Sequence, residues 1–193
     1  MIYRLLALNI DGTLLQPNGR LHKSTKEAVD YVRDKGIYVT LVTSRSFPSA
    51  KKVAKALKLD SVLVTHRGGY IATELETPIL EKRINEEITF EIVRLLEGFQ
   101  CQIRLVHEKY SLANKLKINN NLLAKTVVNS GDPLFYPHQF VDSISDTIME
   151  EPSAPPKIEI YFEDKNDLED AEKAIQGMFS EVDTLRLNDY RME

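Results

Sequence analysis

Apolar and polar positions along this chain follow two periods, and the switches between them mark out the elements. Residues 3–9 form a short, almost wholly apolar run that ends in Asn9, and Ile10, Asp11 and Gly12 follow. Such a run suits a strand buried on both faces, as in a parallel sheet. Residues 23–36 then take helical spacing. Ala28, Val29 and Val32 make an apolar stripe, Ser24 and Glu27 are spaced as a capping box, and Gly36 is placed to stop the helix. The β-branched and aromatic stretch 37–43 predicts a second strand. Pro48 opens a helix through Leu59, with Ala50, Val53, Ala54 and Leu57 on one side, and residues 62–65 predict a third strand. Strand, helix, strand, helix and strand thus follow one another by residue 65, which predicts right-handed crossovers and an open parallel sheet.

After Gly69 the pattern changes. "YIAT" and "TPILEKRI" read as a small antiparallel hairpin, residues 86–98 as a helix and 101–107 as a strand. A short helix is expected over 119–129, entered through Asn119, Asn120 and Asn121. The stretch 131–156 holds five of the eight prolines and reads as irregular or extended. "KIEIYF" predicts a strand with alternating faces, 167–179 a helix and 184–187 a last strand. This order belongs to an α+β layer, so a boundary is expected near residues 82–85, with one domain over 1–82 and a second over 83–193. No internal repeat or low-complexity tract interrupts the chain.

Composition acts by exclusion. Of 193 residues, 42% are apolar and 28% charged, as in ordinary soluble domains. A net charge of −4 lacks the basic footprint of a nucleic-acid binder. The one cysteine, Cys101, permits no internal disulfide, fits a reducing compartment and reads as a plain buried residue. No apolar run reaches membrane-spanning length, and the start has no signal-like pattern, so a cytoplasmic protein that avoids membranes is expected.

In open α/β sheets ligands bind beyond the carboxyl ends of the strands. Asn9, Asp11 and Thr43 fall at such ends. A carboxylate at position 9 would attack a phosphoryl group, with a divalent cation bridging it to the phosphate oxygens. Asp11, on the same side, would protonate the leaving alcohol and later take a proton from water. Gly12 lets the backbone turn its N–H groups toward the phosphate, and Thr43 with the following helix start would hold the remaining oxygens.

"NIDGTLL" followed by "VTLVTSR" resembles the first two motifs of the haloacid dehalogenase superfamily, whose first motif is Asp-x-Asp-Gly-Thr. The closer likeness is to its Cof-like phosphatases, where "LDIDGTLL" and a strand ending "TGR" are usual; "THRGGYI" at 65–71 resembles their next turn, with Arg67 where Asn is expected. The resemblance implies an α/β fold, a Rossmann-like core carrying an α+β cap. It implies magnesium-dependent hydrolysis of small phosphate monoesters through an aspartyl phosphate. Asn9 stands at the nucleophile position, Asp11 at the general acid/base, and Gly12, Thr43 and Ser44 at the phosphate. Mg2+ would touch the Asn9 side chain and the Asp11 backbone carbonyl. The partner implied is a small phosphorylated metabolite, such as a sugar, flavin or pyridoxal phosphate. Arg45 stays open between a surface charge and a substrate contact.

The departures are equally specific. The family's phosphate-steadying lysine and its Gly-Asp-x-x-Asn-Asp loop have no counterpart here, since Gly131-Asp132 and Asn188-Asp189 both lack the remaining acids. The expectation is a core without its third and fourth motifs, and an incomplete sheet whose open edge invites pairing between copies. The Asn9 amide is neutral, a weak nucleophile and a poorer magnesium ligand than a carboxylate. An introduced or accidental change is favoured over a naturally inactive relative, and little turnover is expected. The rival reading is a non-catalytic module that binds a phospho-metabolite with the same pocket. A phosphoacceptor receiver domain is set aside because the third strand ends in Thr65, His66 and Arg67, with no acid. His22, His107 and His138 have no metal-ligand spacing, His66 reads as structural and Arg67 as solvated. The Lys51, Lys52, Lys55 and Lys58 patch reads as the wet face of a helix, and "NKLKINNN" as a polar turn.

Overall fold

The computed structural model describes residues 3–115 and 137–193. The chain divides between Lys82 and Arg83 into two units. In the first, β1 (Leu5–Leu8), α1 (Lys23–Asp34), β2 (Tyr38–Leu41), α2 (Phe47–Ala56) and β3 (Leu63–Thr65) alternate, followed by β4 (Tyr70–Glu74) and β5 (Thr77–Glu81). β1 and β2 run parallel, with Leu6 opposite Val39 and Leu8 opposite Leu41. A parallel bridge from Val42 to Val64 ties β3 to β2, and β3, β4 and β5 continue as an antiparallel meander. The parallel arrangement and the hairpin both follow the sequence pattern.

Side-chain burial departs from that pattern in places. Leu41 and Leu63 are fully buried, packed with Val29, Phe47, Ala50 and Val53. β1 is not enclosed on both faces: Leu6 and Leu8 meet the core, whereas Leu5 is 58% exposed and Ala7 is exposed beside it. Neighbouring Tyr38 and Val42 are exposed too. An apolar run states a preference for burial, but other elements must supply the cover. Helix α1 also starts differently. His22 is its cap and accepts the Ser24 N–H at 3.2 Å through Nδ1, while Ser24 already lies in the first turn. Glu27 pairs with Lys23 at 3.5 Å instead of reaching back to close a capping box. In the expected stripe Val29 is buried and Ala28 is exposed. Gly36 does end the helix, at φ +73°, a conformation cheap only for glycine. On α2, Lys51 is not simply solvated: it donates to the Thr73 carbonyl at 2.7 Å and pairs with Glu74 at 2.9 Å.

The second unit contains α3 (Glu86–Leu96), β6 (Cys101–Val106), β7 (Ser111–Asn114), β8 (His138–Val141), α4 (Ile144–Glu150), β9 (Lys157–Phe162), α5 (Lys165–Met178), β10 (Arg186–Asn188) and β11 (Arg191–Met192). Its sheet has the order β10-β11-β9-β6-β7-β8, antiparallel except for the parallel β7–β8 pair. Ile103, Leu105, Ile158, Ile160 and Phe162 pack with Val93, Leu96, Ile144, Leu168 and Ile175 of the three helices. β9 alternates in chemistry as expected, but its polar residues Lys157 and Glu159 are buried as well. Glu159 is satisfied by Lys157 Nζ at 2.7 Å, Tyr161 Oη at 3.1 Å and Arg191 Nη2 at 3.4 Å. Burial pushes its carboxyl up, but the Lys157, Arg191 and Arg104 charges together outweigh this and hold it at about 2.

Residues 144–150, within the stretch read as irregular, form α4, whose Ser143 side chain accepts the Asp146 N–H at 3.1 Å. Pro137, Pro152, Pro155 and Pro156 flank the helix without entering it. The short helix expected at 119–129 lies outside the described residues. Among the described residues, no helix is long and apolar enough to cross a membrane.

Candidate functional site

β1 stops at Leu8, and the next three residues keep strand-like alternation, so Ile10 turns into the core while Asn9 and Asp11 are exposed. The Ile10 carbonyl accepts the N–H groups of Leu14 at 3.0 Å and Leu15 at 3.1 Å, which folds the chain back at once. Gly12 makes that fold possible at φ +73°. Asn9 Nδ2 donates to the Asp11 carbonyl at 2.8 Å.

Thr43 arrives from β2. It is buried, and its backbone is fixed on both sides: its N–H donates to the Val64 carbonyl at 2.9 Å, and its carbonyl accepts the Arg67 N–H at 3.2 Å. Its hydroxyl oxygen accepts the Arg45 N–H at 3.2 Å. The Arg45 side chain then crosses to the end of β1. Nε donates to Asp11 Oδ2 at 2.8 Å and Nη2 to Oδ1 at 2.7 Å, a bidentate fork of the kind guanidinium and carboxylate form best. A third donation, Nη1 to Ser49 Oγ at 3.3 Å, anchors the guanidinium to α2.

Asn9, Asp11, Thr43 and Arg45 are therefore joined by direct hydrogen bonds across 34 positions of sequence. Gly12 lies in the same turn, and half-buried Ser44 lies between Thr43 and Arg45. For Arg45 the structure gives a role that neither sequence reading held: it is the partner of Asp11. The available signal was an arginine two residues beyond the β2 strand-end threonine, with an unpaired acid at the end of the neighbouring parallel strand.

The magnesium ion implied by the family resemblance can be tested against these donors. A hard divalent cation needs oxygen ligands, preferably anionic. The Asp11 carbonyl already accepts the Asn9 N–H, and both Asp11 carboxylate oxygens are taken by Arg45. Among the described residues, no group of three or more His, Cys, Asp or Glu side chains stands ready for a metal. These donors fit the ion poorly as they stand: the Asn9 amide turns an N–H where a cation would want an acceptor.

Other reactive side chains sit elsewhere. The Cys101 thiol is buried, pushed up to about 12 by burial and then by Asp167 and Glu97, and donates to the Leu96 carbonyl at 3.3 Å. It is an inert core residue. His107 Nε2 bonds Ser153 Oγ at 2.9 Å, and His138 Nδ1 bonds Ser111 Oγ at 2.6 Å.

Parallel strands whose carboxyl ends gather an amide, a carboxylate, a hydroxyl and a guanidinium define an α/β protein with a polar strand-end site. The family model for haloacid dehalogenase-like hydrolases matches residues 6–193, and the chain belongs to that family. It is 53% identical over 193 residues to the stress response protein YhaX of Bacillus subtilis, covering 100% of this chain and 66% of that protein. With the 5-amino-6-(5-phospho-D-ribitylamino)uracil phosphatase YcsE of Bacillus subtilis it shares 35% identity over 68 residues, 35% of this chain and 27% of the other. A crystal structure of a haloacid dehalogenase-like hydrolase from Bacteroides thetaiotaomicron superposes with a TM-score of 0.78 at 15% identity, covering 99% of this chain and 70% of that one, a likeness of fold. The chain spans no more than about two thirds of the length of these curated relatives.

Proposed function

We propose that the strand-end site receives a small phosphate monoester, that the activity of the whole protein is hydrolysis of such esters, and that with Asn9 in place this chain turns them over little or not at all. The observation that carries this reading is the convergence of Asn9, Asp11, Thr43 and Arg45 through hydrogen bonds of 2.7–3.2 Å. Family membership and relatives named as phosphatases support it. Asn9 occupies the place of a nucleophile, and its neutral amide gives no normal acyl phosphate. Arg45 orients the Asp11 carboxylate as the acid and base, while Thr43 and Gly12 position phosphate oxygens. Cof-like relatives lend magnesium to the reaction, but the donors here do not fit it, and no step is assigned to it. The single buried thiol supports a reducing, cytoplasmic setting.

A phosphatase assay over a panel of sugar, flavin and pyridoxal phosphates tests the reading. Background turnover by this chain is expected, and substantial hydrolysis with Asn9 in place would refute the account of the nucleophile. The Asn9-to-Asp11 hydrogen bond favours a second reading, a binding module that holds the ester without cleaving it.

A further inference from the structure

Resting on the reading that this strand-end site takes a phosphate ester, we propose that Asn9 makes it a metal-independent oxyanion receptor, which holds inorganic phosphate or a phosphate monoester with no divalent cation. Charge is the first argument. Asp11 and Arg45 cancel through their two-point fork, and Asn9 adds no charge. A carboxylate at position 9 would leave two negative groups against one guanidinium, and a phosphate could enter only with an added cation. Hydrogen-bond polarity is the second. The Asp11 carbonyl faces position 9, and a carboxylate there would set acceptor against acceptor. The Asn9 amide instead puts an N–H on that carbonyl at 2.8 Å, which gives the oxygen the positive partner a metal ion would otherwise provide. The remaining parts are already fixed: Ser49 holds the far side of the Arg45 guanidinium, and Thr43 Oγ1 accepts from the Arg45 backbone, which leaves its own hydroxyl hydrogen for another acceptor.

Titration calorimetry of the whole chain with inorganic phosphate, once in EDTA and once in saturating magnesium, tests this. The two dissociation constants are expected to agree within about twofold. Asn9→Asp should lose at least about tenfold in EDTA and recover when magnesium is added. Thr43→Val should weaken binding in both conditions, which ties the heat to this site. Phosphate binding by the unaltered chain that appears only with magnesium would overturn the proposal and leave the phosphate-ester reading standing. No binding in either condition would overturn both. If Asn9→Asp fails to fold by circular dichroism, the comparison of the unaltered chain in EDTA and magnesium decides alone.

Discussion

The two units treat their sheets in opposite ways. In the second, the helix side of the sheet is closed by apolar packing, and the other side carries Arg104, Lys157 and Glu159, all buried and paired. In the first, Leu41 and Val39 are buried while Leu5, Tyr38 and Val42 remain exposed on the strands that carry the candidate site. Among the described residues the apolar cover therefore differs between the two sheets. The second unit has charge locked where solvent cannot relax it. The first has a half-covered apolar sheet whose strand ends are free to present polar groups.

The sharpest way to break this comparison is to unbalance the buried charges. Glu159→Ala leaves buried Arg104 without its carboxylate, and Lys157 and Arg191 with Glu193 alone, and should cost about 3–5 kcal/mol, read by urea denaturation with far-UV circular dichroism. A loss under about 1 kcal/mol would mean that the polar layer is effectively solvated. Leu41→Ala, at a fully buried position of the first unit, should cost about 2–5 kcal/mol by cavity formation. It should leave any later transition of the second unit in place.

Acid sharpens the same contrast. Burial pushes His107 down to about 4 from 6.5, so its neutral ring supports the second unit fully above pH 6.5, and that support is lost as pH falls through 4. Glu159, held at about 2 against an ordinary 4.5, contributes above pH 4.5 and loses that contribution as pH falls through 2. Each window is worth about 3 kcal/mol at most. Thermal scans between pH 7 and 3 should therefore show the second unit weakening first through His107, and His107→Gln should flatten the upper window. The smallest effect is expected at the open face. Leu5→Ser should change stability by no more than about 0.5 kcal/mol, and reduced light scattering at high protein concentration is the measurement that checks whether this face drives self-association.

Much of this architecture was legible where period and punctuation agreed. α2 and α3 show their apolar spacing, Gly36 marks a stop, and the alternation of β9 is visible in "KIEIYF". The second-unit elements that escaped notice are short. β7 is four residues long, and the turn before it, His107 to Tyr110, has none of the usual turn residues Gly, Pro, Asn or Asp. α4 has seven residues in a proline-rich stretch, too few for periodicity to show. The exposure of Leu5 could not be read from its own neighbourhood, because cover is a tertiary property. At the site, Asn9, Asp11, Gly12 and Thr43 announce themselves through local pattern. The Arg45–Asp11 fork does not, because it depends on β1 and β2 lying side by side in register.

The chain has eight tyrosines and no tryptophan, which makes one contact in the second unit useful in practice. Tyr161 lies between two guanidiniums, with Arg191 5.0 Å and Arg104 5.8 Å from its ring centre, and burial followed by the Glu159 charge pushes its phenol above the ordinary range. Tyr3, Tyr31, Tyr38 and Tyr190 are exposed. In an alkaline spectrophotometric titration Tyr161 should resist becoming tyrosinate until its surroundings come apart. The molecule therefore carries a built-in optical label for one half of itself, and no dye or engineered fluorophore is needed to watch that half melt.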